Sequence, residues 1–525
     1  MKSIFKFTIV AGVSLMALSS CVNDLDTLPL TQTTVLPEDA WSDPASYELY
    51  TAKIYSAFAL PGSDGAGSGD IVGADQGEAT FTRAWWNLEE LATDEVKIAW
   101  ADEGLNGLQF CQWSATNRFV MLNYDRMCLI NAFCNEFLNQ TTDDKLSARG
   151  LDSNQINAVH VNRAEVRALR AFSYYVLMNF YANPPFITEE DGIGAFNPKQ
   201  TNRDFLFSWI ENEWKEIINQ VPEKSAKTYG MVNRYVINMM LANLYMNAEV
   251  FGQGNHYAQA AACLDDIINN GGYSLEPTYK YLFQADNNES AEMIFPIIFD
   301  GVYAQCYGGT TYLTAAAYGS DMNAGDNFGL PQSWSGIRAP KDLSQLFEDG
   351  DSRALFWTAE RTQDILSWST FTEGYSVVKY TNLKKDGSAG SNNTFPDTDF
   401  PLYRLADAYL LYVECAMRGA GDAGKAKDLY NKVQERAFGN SNHNISSLND
   451  LTLDQLLDER ARELYWEGHR RTDLIRFNRF IDGKVWTWKN GTHDGTAKIN
   501  EKYLLYPLPS TDLASNPELK QNPGF

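Results

Sequence analysis

Cysteine and histidine are scarce in this chain, whose 525 residues include seven Cys and five His. The cysteines form no CxxC pair and the histidines are scattered, so the ligand spacing of a zinc site is missing. The chain is also too long and too poor in cysteine to be a small disulfide scaffold. Cys128 and Cys134 lie six residues apart on a predicted helix and point to different faces. We therefore expect buried free thiols.

Basic residues are outnumbered, with 43 Lys and Arg against 67 Asp and Glu and a formal net charge of −24. Nucleic acid is excluded as a partner, because its phosphates would be repelled and no basic stripe offsets the acidic excess. The same acidity does not hinder the binding of a neutral ligand such as a sugar. With 44% apolar residues, the chain can bury a large core.

Recognisable catalytic motifs are also missing, since there is no GxSxG elbow, no Walker A loop and no HExxH helix. Two carboxylates flanking one bond would suit a glycoside hydrolase, which is the minor alternative, but an acidic chain offers such pairs by chance. We expect a solvated or helix-capping cluster and predict no catalytic residue, no metal ligand and no cofactor, leaving a structural calcium ion open. The clustered carboxylates are Glu89, Glu90, Asp94, Glu95, Asp102 and Glu103.

The amino terminus has the features of a secretory signal. Lys2 and Lys6 form a basic start, residues 4–18 are mostly apolar, and Leu18-Ser19-Ser20-Cys21 is typical of a lipobox. The apolar run is too short to span a membrane as a mature helix. We predict that residues 1–20 are removed and that a lipid on Cys21 anchors the chain to a membrane of a bacterial envelope. An ordinary cleaved signal with Cys21 near the cut is the alternative.

Helical patterns dominate the rest of the chain. Asp43-Pro44 predicts the start of a helix that reaches about Leu60. Two later hairpins share small and aliphatic residues at equal spacings, which lets paired helices approach closely, as in tetratricopeptide-type repeats. These residues are Ala242, Leu244, Ala260 and Ile267, and Ala408, Leu410, Ala426 and Val433. Further helices are predicted at 117–140, 153–182, 202–219, 234–250, 256–270, 403–418, 422–437 and 452–480.

Two stretches interrupt the helical pattern. Residues 61–77 are rich in Gly, Ser and Asp, and between about 283 and 400 turn residues and aromatics prevail. Short strand-like runs lie at Met293–Phe299 and Tyr375–Tyr380. Long loops in a compact protein are usually functional, and the aromatic content argues against disorder. We predict a mainly α fold in which a scaffold of helix hairpins carries a loop-rich second region.

Aromatic residues in or beside these loops are candidate ligand contacts. A flat ring stacks on the apolar face of a sugar, while neighbouring polar groups bond to the hydroxyls. Any single ring is more simply explained as core, but we expect at least two to be exposed. The group consists of Trp85, Trp86, Trp100, Trp113, Tyr307, Tyr312 and Trp334.

A highly charged segment occupies residues 459–480. We predict one continuous helix with two favourable i,i+4 ion pairs, Asp458–Arg462 and Glu467–Arg471. A salt-bridged structural helix is favoured over the alternative of an anion-binding site.

The same segment carries a family resemblance. Ala461–Phe477 (ARELYWEGHRRTDLIRF), Tyr503–Pro509 (YLLYPLP) and residues 516–525 resemble the C-terminal signature of the SusD/RagB family. The lipobox start, Ala164–Tyr181 and Pro401–Ala408 are similar too, so the resemblance covers essentially the whole chain. It implies about four tetratricopeptide-type helix pairs in a single domain from 21 to 525. The scaffold would occupy about 44–60, 117–275 and 401–480, and the glycan-binding region about 61–116 and 283–400.

The resemblance also implies a role. Family members are non-enzymatic, surface-exposed lipoproteins of the outer membrane in Bacteroidetes. They bind an oligosaccharide or polysaccharide outside the cell and act as the lid of a SusC-like TonB-dependent transporter. By this likeness, the lipid on Cys21 would hold the chain at the outer membrane.

Two loop segments are most similar to those of starch-binding members. The first runs from Asp75-Gln76-Gly77-Glu78 to Ala99-Trp100, and the second from Asp300-Gly301-Val302 to Ile337-Arg338-Ala339. The likeness implies that three rings form an arc that cups a helical α-glucan, and that two polar side chains bind its hydroxyls. The rings are Trp100, Tyr307 and Trp334, and the polar side chains are Arg83 and Asp75.

Three features depart from the starch-binding pattern. Ile98 stands where starch binders have another Trp, and Glu103 stands where they have Asn. An insertion, Phe328–Gln332, precedes Trp334 and could move its ring. A different glycan, such as a fructan, a host glycan or another polysaccharide, is therefore the alternative ligand.

Overall fold

Helices form the frame of this protein, in a computed structural model that describes residues 37–71, 75, 77–192 and 196–525. The predicted signal peptide (residues 1–20) and the predicted lipid-bearing Cys21 lie outside these residues. The described residues up to Tyr47 belong to one compact unit and residues 48–525 to another. In the described part of the first unit, the hydroxyl of Tyr47 donates to the carbonyl oxygen of Trp41 at 2.8 Å.

Eight of the nine predicted helices are present, with ends within four residues of the predicted ones. The described helices are α1 (Pro37–Ser42), α2 (Ala45–Ala59), α3 (Phe81–Glu90), α4 (Leu105–Gln109), α5 (Arg118–Gln140), α6 (Asp143–Ala148), α7 (Ser153–Tyr181), α8 (Arg203–Ile217), α9 (Arg234–Met246), α10 (Tyr257–Asn270), α11 (Gly309–Ala315), α12 (Ala324–Phe328), α13 (Lys341–Ser344), α14 (Leu405–Met417), α15 (Ala423–Phe438), α16 (Leu453–Leu464), α17 (Arg470–Arg476) and α18 (Ser510–Ser515). Helix α3 was not predicted, and all ten of its residues are buried.

Successive helices pair as the repeated small residues predict. Helix α5 packs against α7, α9 against α10, and α14 against α15, while α10 also packs against α14. All eight residues of the repeated pattern are buried, and Ala242 and Ala408 have no exposed surface. Because only a methyl group separates the backbones at such positions, the helices approach closely. The mainly α, tetratricopeptide-type fold is confirmed.

The loop-rich region contributes only short strands. The described strands are β1 (Lys97–Ile98), β2 (Met293–Ile297), β3 (Ile337–Arg338), β4 (Phe356–Trp357), β5 (Ser376–Val377) and β6 (Phe400–Arg404). They form three antiparallel two-stranded ribbons, β1–β3, β2–β6 and β4–β5. The two predicted strand-like runs contain β2 and β5. Since β6 leads directly into α14, the β2–β6 ribbon joins the loop-rich region to the scaffold.

The charged segment is broken, so the prediction of one continuous helix is wrong. Helix α16 ends at Leu464 and α17 begins at Arg470. Between them, Trp466 (φ 64°) and Gly468 (φ 79°) have left-handed backbone conformations, which a right-handed helix cannot contain.

The ion pairs of this segment also differ from the predicted pairs, which were Asp458–Arg462 and Glu467–Arg471. Arg462 pairs with Glu459 at 2.6 Å, and Glu467 pairs with Arg404 of β6 at 2.6 Å. The break between the two helices turns Glu467 into the protein interior, where tertiary neighbours replace the helical neighbour. The structural role favoured from the sequence is nevertheless the one these side chains perform.

Arg404 lies at the centre of a buried ionic cluster. Its guanidinium, 1% exposed, contacts Glu292 at 2.8 Å, Glu463 at 2.5 Å and Glu467 at 2.6 Å. Burial opposes the ionisation of Glu463, but the guanidinium groups of Arg436 and Arg404 outweigh it and hold the pKa of that carboxyl far below its usual range. The cluster therefore ties α16 and the turn after it to the β2–β6 ribbon.

The six clustered carboxylates divide into two sets. The last two are exposed, as in a solvated cluster, whereas the first four are buried, and two of these four confirm the helix-capping role that was predicted as the other possibility. Glu90 accepts the backbone N–H of Gly468 at 2.7 Å, and Glu89 accepts that of Thr472 at 3.0 Å. Both cap the start of α17, where N–H groups lack helical partners. Asp94 is ion-paired to the same helix at 2.7 Å.

The six cysteines in the described residues are all free, as predicted, although Cys128 and Cys263 are only partly buried. Four of them are buried: Cys111, Cys134, Cys306 and Cys415. The described ranges contain no helix that combines the length and the hydropathy needed to cross a membrane. Within the same ranges, no three His, Cys, Asp or Glu side chains are arranged to hold a metal ion.

Candidate functional site

Helix α11 is the central support of the candidate site. The ring of Tyr312 in this helix is completely buried, and its hydroxyl donates to Oδ1 of Asn87 in α3 at 3.0 Å. The guanidinium of Arg83, also in α3, lies 4.4 Å from the centre of the Tyr312 ring. Cation and ring attract each other at this distance. Two buried helices therefore fix the position of Arg83.

The loop that carries Trp334 is tied to the end of α11. The backbone N–H groups of Trp334 and Gly336 donate to the carbonyl oxygens of Ala315 and Ala316, both at 2.7 Å. Carbonyls at a helix end have no partner within the helix, so the loop supplies one. Ser335 has a φ of 52°, a left-handed conformation that costs on the order of 1 kcal/mol in a residue with a side chain. The helix end, not local preference, holds this loop in shape.

Trp100 and Trp334 are joined directly. The indole Nε1–H of Trp100 donates to the carbonyl oxygen of Trp334 at 3.0 Å. The Trp100 ring lies against Gly336, where an added Cβ would be 2.5 Å from the indole. It is also 6.2 Å from the ring of Tyr312 and 5.9 Å from the guanidinium of Arg83. Both tryptophans are partly exposed, so each offers ring surface to a ligand.

Asp75, Gly77 and Tyr307 meet near the start of α11. The exposed Asp75 accepts the N–H of Gly77 at 2.9 Å through Oδ1. An added Cβ at Gly77 would lie 3.0 Å from the carbonyl oxygen of Tyr307 and 3.1 Å from Nη1 of Arg83. The ring of Tyr307 packs edge-on against Phe395 with 5.0 Å between centres, and it is partly exposed. A larger residue at position 77 would therefore have to displace these neighbours by a few tenths of an ångström.

Charges of both signs lie beside the rings. Glu78 is buried, pairs with Arg118 at 2.5 Å and lies 4.0 Å from Arg83. Burial raises the pKa of the Glu78 carboxyl, the two guanidinium groups oppose this rise, and the carboxylates of Asp75 and Asp102 add to it. Of these groups Arg118 is partly exposed and Asp75 and Asp102 are exposed, so a guanidinium donor and carboxylate acceptors reach solvent here, as recognition of hydroxyl groups requires.

The structure brings together the five residues predicted to bind ligand, although they are spread over residues 75–334. Trp100, Tyr307 and Trp334 are partly exposed, which agrees with the expectation of at least two available rings. The other four aromatic candidates belong to the core: Trp85, Trp86, Trp113 and Tyr312. The roles of the five residues as ligand contacts stay predictions.

The three departures from the starch-binding pattern have clear positions. Ile98 is buried in β1, so it offers no surface in place of the missing ring, whereas Glu103 is exposed. In the insertion, Phe328 stacks on Tyr318 with 4.8 Å between ring centres. Because Trp334 is bonded to α11, its backbone stays beside Trp100 despite the insertion.

Tyr303 is an exposed ring that the sequence analysis missed. Its side chain is 88% exposed, and Oδ1 of Asp300 accepts the N–H groups of Val302 at 2.7 Å and of Tyr303 at 2.5 Å. The base of the turn is fixed, since the N–H of Gly301 donates to Asp397 at 2.7 Å. The available signal was the sequence Asp-Gly-Val-Tyr, because an Asp at the start of a turn bonds to the backbone and leaves the next residues at the surface.

Known proteins resemble this chain in both sequence and fold. A family model described as the SusD family matches residues 310–525. The starch-binding protein SusD of Bacteroides thetaiotaomicron is 31% identical over an alignment that spans 100% of this chain and 99% of that protein. A SusD-like protein of Bacteroides ovatus is 24% identical, with 87% of this chain and 82% of that protein aligned.

Solved structures share the architecture. A SusD superfamily protein from Bacteroides thetaiotaomicron aligns with a TM-score of 0.70 at 15% identity, covering 91% of this chain and 99% of that one. Surface glycan-binding protein A from the same species, solved with laminarihexaose, aligns with a TM-score of 0.68 at 20% identity and the same coverage. With 31% identity to a SusD protein over its full length, this chain belongs to the SusD family.

Proposed function

We propose that this protein binds a starch-like α-glucan at the cell surface, without cutting it, and delivers it to a SusC-like TonB-dependent transporter. One observation carries the proposal: three partly exposed aromatic residues, Trp100, Tyr307 and Trp334, lie in segments next to the two ends of α11, near Arg83 and Asp75. Full-length similarity to a starch-binding relative supports the choice of ligand.

The rings and the polar groups would contribute differently to binding. The ring faces of Trp100 and Trp334 stack on the apolar faces of successive glucose units, which favours a curved chain that follows their arc. Arg83 donates hydrogen bonds to hydroxyl groups and Asp75 accepts them. Because Arg83 is held by the ring of Tyr312 before ligand arrives, little side-chain entropy is lost when it binds.

The structural roles of three of the clustered carboxylates support binding without hydrolysis. Glu89 and Glu90 cap α17, and Asp94 is paired with Arg470. A glycosidase needs one carboxyl group free to donate a proton and a second free to attack or to activate water. These three side chains already hold structural partners, so they are not available for that chemistry.

Affinity electrophoresis in starch-containing gels tests the ligand and the site. We expect Trp100→Ala and Trp334→Ala each to weaken binding by about 1–3 kcal/mol, by analogy with other stacking contacts. Trp209→Ala, which removes a partly exposed tryptophan from scaffold helix α8, is the matched control and should migrate like the parent protein. Unchanged retardation of both site variants would rule out this site.

A different glycan is the second candidate. Ile98 replaces a tryptophan of the starch-binding pattern and is buried, so the surface available for stacking is smaller, which favours this alternative. A glycan array discriminates the two ligands. Signal for maltooligosaccharides supports the starch-like ligand, whereas signal confined to fructans, host glycans or another polysaccharide supports the alternative.

Delivery to a transporter depends on anchoring at the outer membrane through Cys21. We expect Cys21→Ala to abolish surface labelling of the protein and uptake of fluorescent maltooligosaccharides by cells, while the purified variant still binds starch. Normal uptake by cells producing only this variant would contradict the anchoring role of Cys21.

A further inference from the structure

A second aromatic surface lies on three loops outside the site described above. Phe110, Trp368 and Trp488 are each partly exposed, and Leu366, two residues before Trp368 in the chain, is 65% exposed. The ring of Phe110 lies 6.1 Å from that of Trp368 and 5.7 Å from that of Trp488. Phe110 therefore joins the two tryptophans into one continuous apolar surface, called the second platform below.

Polar groups border the second platform. Nε2 of the exposed Gln112 donates to the carbonyl oxygen of the exposed Asn490 at 3.0 Å. His493 packs edge-on against Trp488 with 6.3 Å between ring centres, and its Nε2 lies 3.2 Å from Asp364. Amide, imidazole and carboxylate groups around flat rings suit a ligand that has both apolar faces and hydroxyl groups.

The backbone holds Trp488 in an unfavourable conformation. Its φ is 64°, which is rare for a bulky residue, and Asn490 follows with a φ of 63°. The indole Nε1–H of Trp488 is already satisfied, because it donates to the carbonyl oxygen of Ile365 at 2.9 Å. The surrounding fold therefore holds the Trp488 ring at the surface. Its backbone conformation is unfavourable, and its N–H group already has a partner and does not need solvent.

The β1–β3 ribbon, whose four residues are buried, links the backbone of the second platform to that of the first site. Trp100 follows β1 and Trp334 precedes β3, so both lie at one end of the ribbon. At the other end of β3, Nη2 of the buried Arg338 donates to the carbonyl oxygen of Trp368 at 2.6 Å. Trp334 and Arg338 are four residues apart, which limits their separation to about 14 Å.

From this link and the short separation we infer that the second platform binds the same glycan chain as the first site, at a neighbouring stretch of sugar units. The inference rests on the proposed function, and it adds a subsite that only long chains reach. Simultaneous contact at two linked places raises the affinity for a polymer without changing the affinity for a short oligosaccharide.

Isothermal titration with two probes, amylopectin and maltoheptaose, tests the subsite. We expect Trp368→Ala to weaken amylopectin binding by about fivefold or more, the lower end of what one stacking ring contributes, and to leave maltoheptaose binding unchanged. Trp368→Phe keeps a ring at the position and should restore most of the amylopectin affinity. The backbone carbonyl that Arg338 uses is present in both variants.

The outcomes separate the subsite from the proposed function. Equal amylopectin affinity of Trp368→Ala and the parent protein would overturn the subsite, as would an equal loss for both probes. An equal loss in the Phe and Ala variants together with a lowered melting temperature would show a structural role and also overturn it. If the parent protein binds neither probe, the proposed function fails first, and the subsite fails with it.

Discussion

The indole N–H of Trp100 donates a hydrogen bond of 3.0 Å to the backbone carbonyl of Trp334, a residue 234 positions further along the chain. One ring is thereby positioned by the backbone that carries the other. A change at Trp100 removes the donor of this bond, whereas a change of the Trp334 side chain leaves the backbone acceptor in place.

Trp100→Phe separates the stacking ring from its N–H group. We expect a loss of about 0.5–1.5 kcal/mol in starch-binding free energy, because a ring remains but the bond to the Trp334 carbonyl is lost. Isothermal titration against maltoheptaose measures the change. Trp113→Phe removes a comparable N–H bond, to the carbonyl of Leu505 at 3.1 Å in the core, and should leave binding unaffected. Equal effects of the two changes on binding would argue against a specific role of the Trp100–Trp334 bond.

Gly336→Ala should displace the Trp100 ring, because the added Cβ would lie 2.5 Å from it. We expect at least a tenfold loss of affinity and a destabilisation of about 1–3 kcal/mol from overpacking. Gly67→Ala is the matched control, since nothing lies within 4 Å of its added Cβ. Titration and urea unfolding of both variants provide the comparison, and unaltered binding by Gly336→Ala would show that the ring position does not matter.

Tyr303→Ala tests whether the 88% exposed ring contributes to binding. We expect a lower affinity for maltoheptaose with an unchanged melting temperature, since the ring has little surface to lose from the folded state. Tyr307→Ala should lower both quantities, because the Tyr307 ring packs against Phe395 at 5.0 Å. Tyr303→Phe retains the ring and serves as the control. Full affinity in Tyr303→Ala would remove this residue from the site.

Glu165→Gln should change how stability depends on pH. Burial raises the pKa of the Glu165 carboxyl from 4.5 to about 7, although the hydrogen bond from the hydroxyl of Tyr55, 2.5 Å long, opposes the rise. Between these two values the native state holds a proton that the unfolded chain has released, so this group makes the free energy of unfolding fall as pH rises from 4.5 to 7. The fall amounts to about 3 kcal/mol.

Gln accepts the same hydrogen bond but does not titrate. The free energy of unfolding of the variant, relative to that of the parent protein, should therefore rise by about 2–3 kcal/mol from pH 5 to pH 8. Urea unfolding at the two pH values measures this gain. The exposed Glu518→Gln is the control and should show no such gain. If the parent and Glu165→Gln differ in free energy of unfolding by the same amount at both pH values, the Glu165 carboxyl is not protonated in the folded protein as inferred.

Local sequence rules predicted the scaffold well and the buried charges poorly. Asp43-Pro44 starts a helix, and the spacing of Ala242 and Ala260 places small residues between paired helices, because caps and helical periodicity act over a few residues. The prediction of one helix with local ion pairs at residues 459–480 failed because the charged side chains of this segment have partners elsewhere in the chain. Glu467 meets Arg404 across 63 positions, and helical spacing carries no information about such a neighbour.

At the candidate site, too, the sequence predicts local features but not the contacts between distant segments. The sequence alone determined which residue types were available: flat rings and polar groups in Gly-rich and Asp-rich loops, within a mainly helical chain. Only the tertiary structure decided which rings are exposed, since Trp86 and Tyr312 are buried while Trp100 and Tyr303 reach solvent. The physical reason is that burial depends on all the surfaces that pack around a ring, and most of those surfaces come from distant parts of the chain.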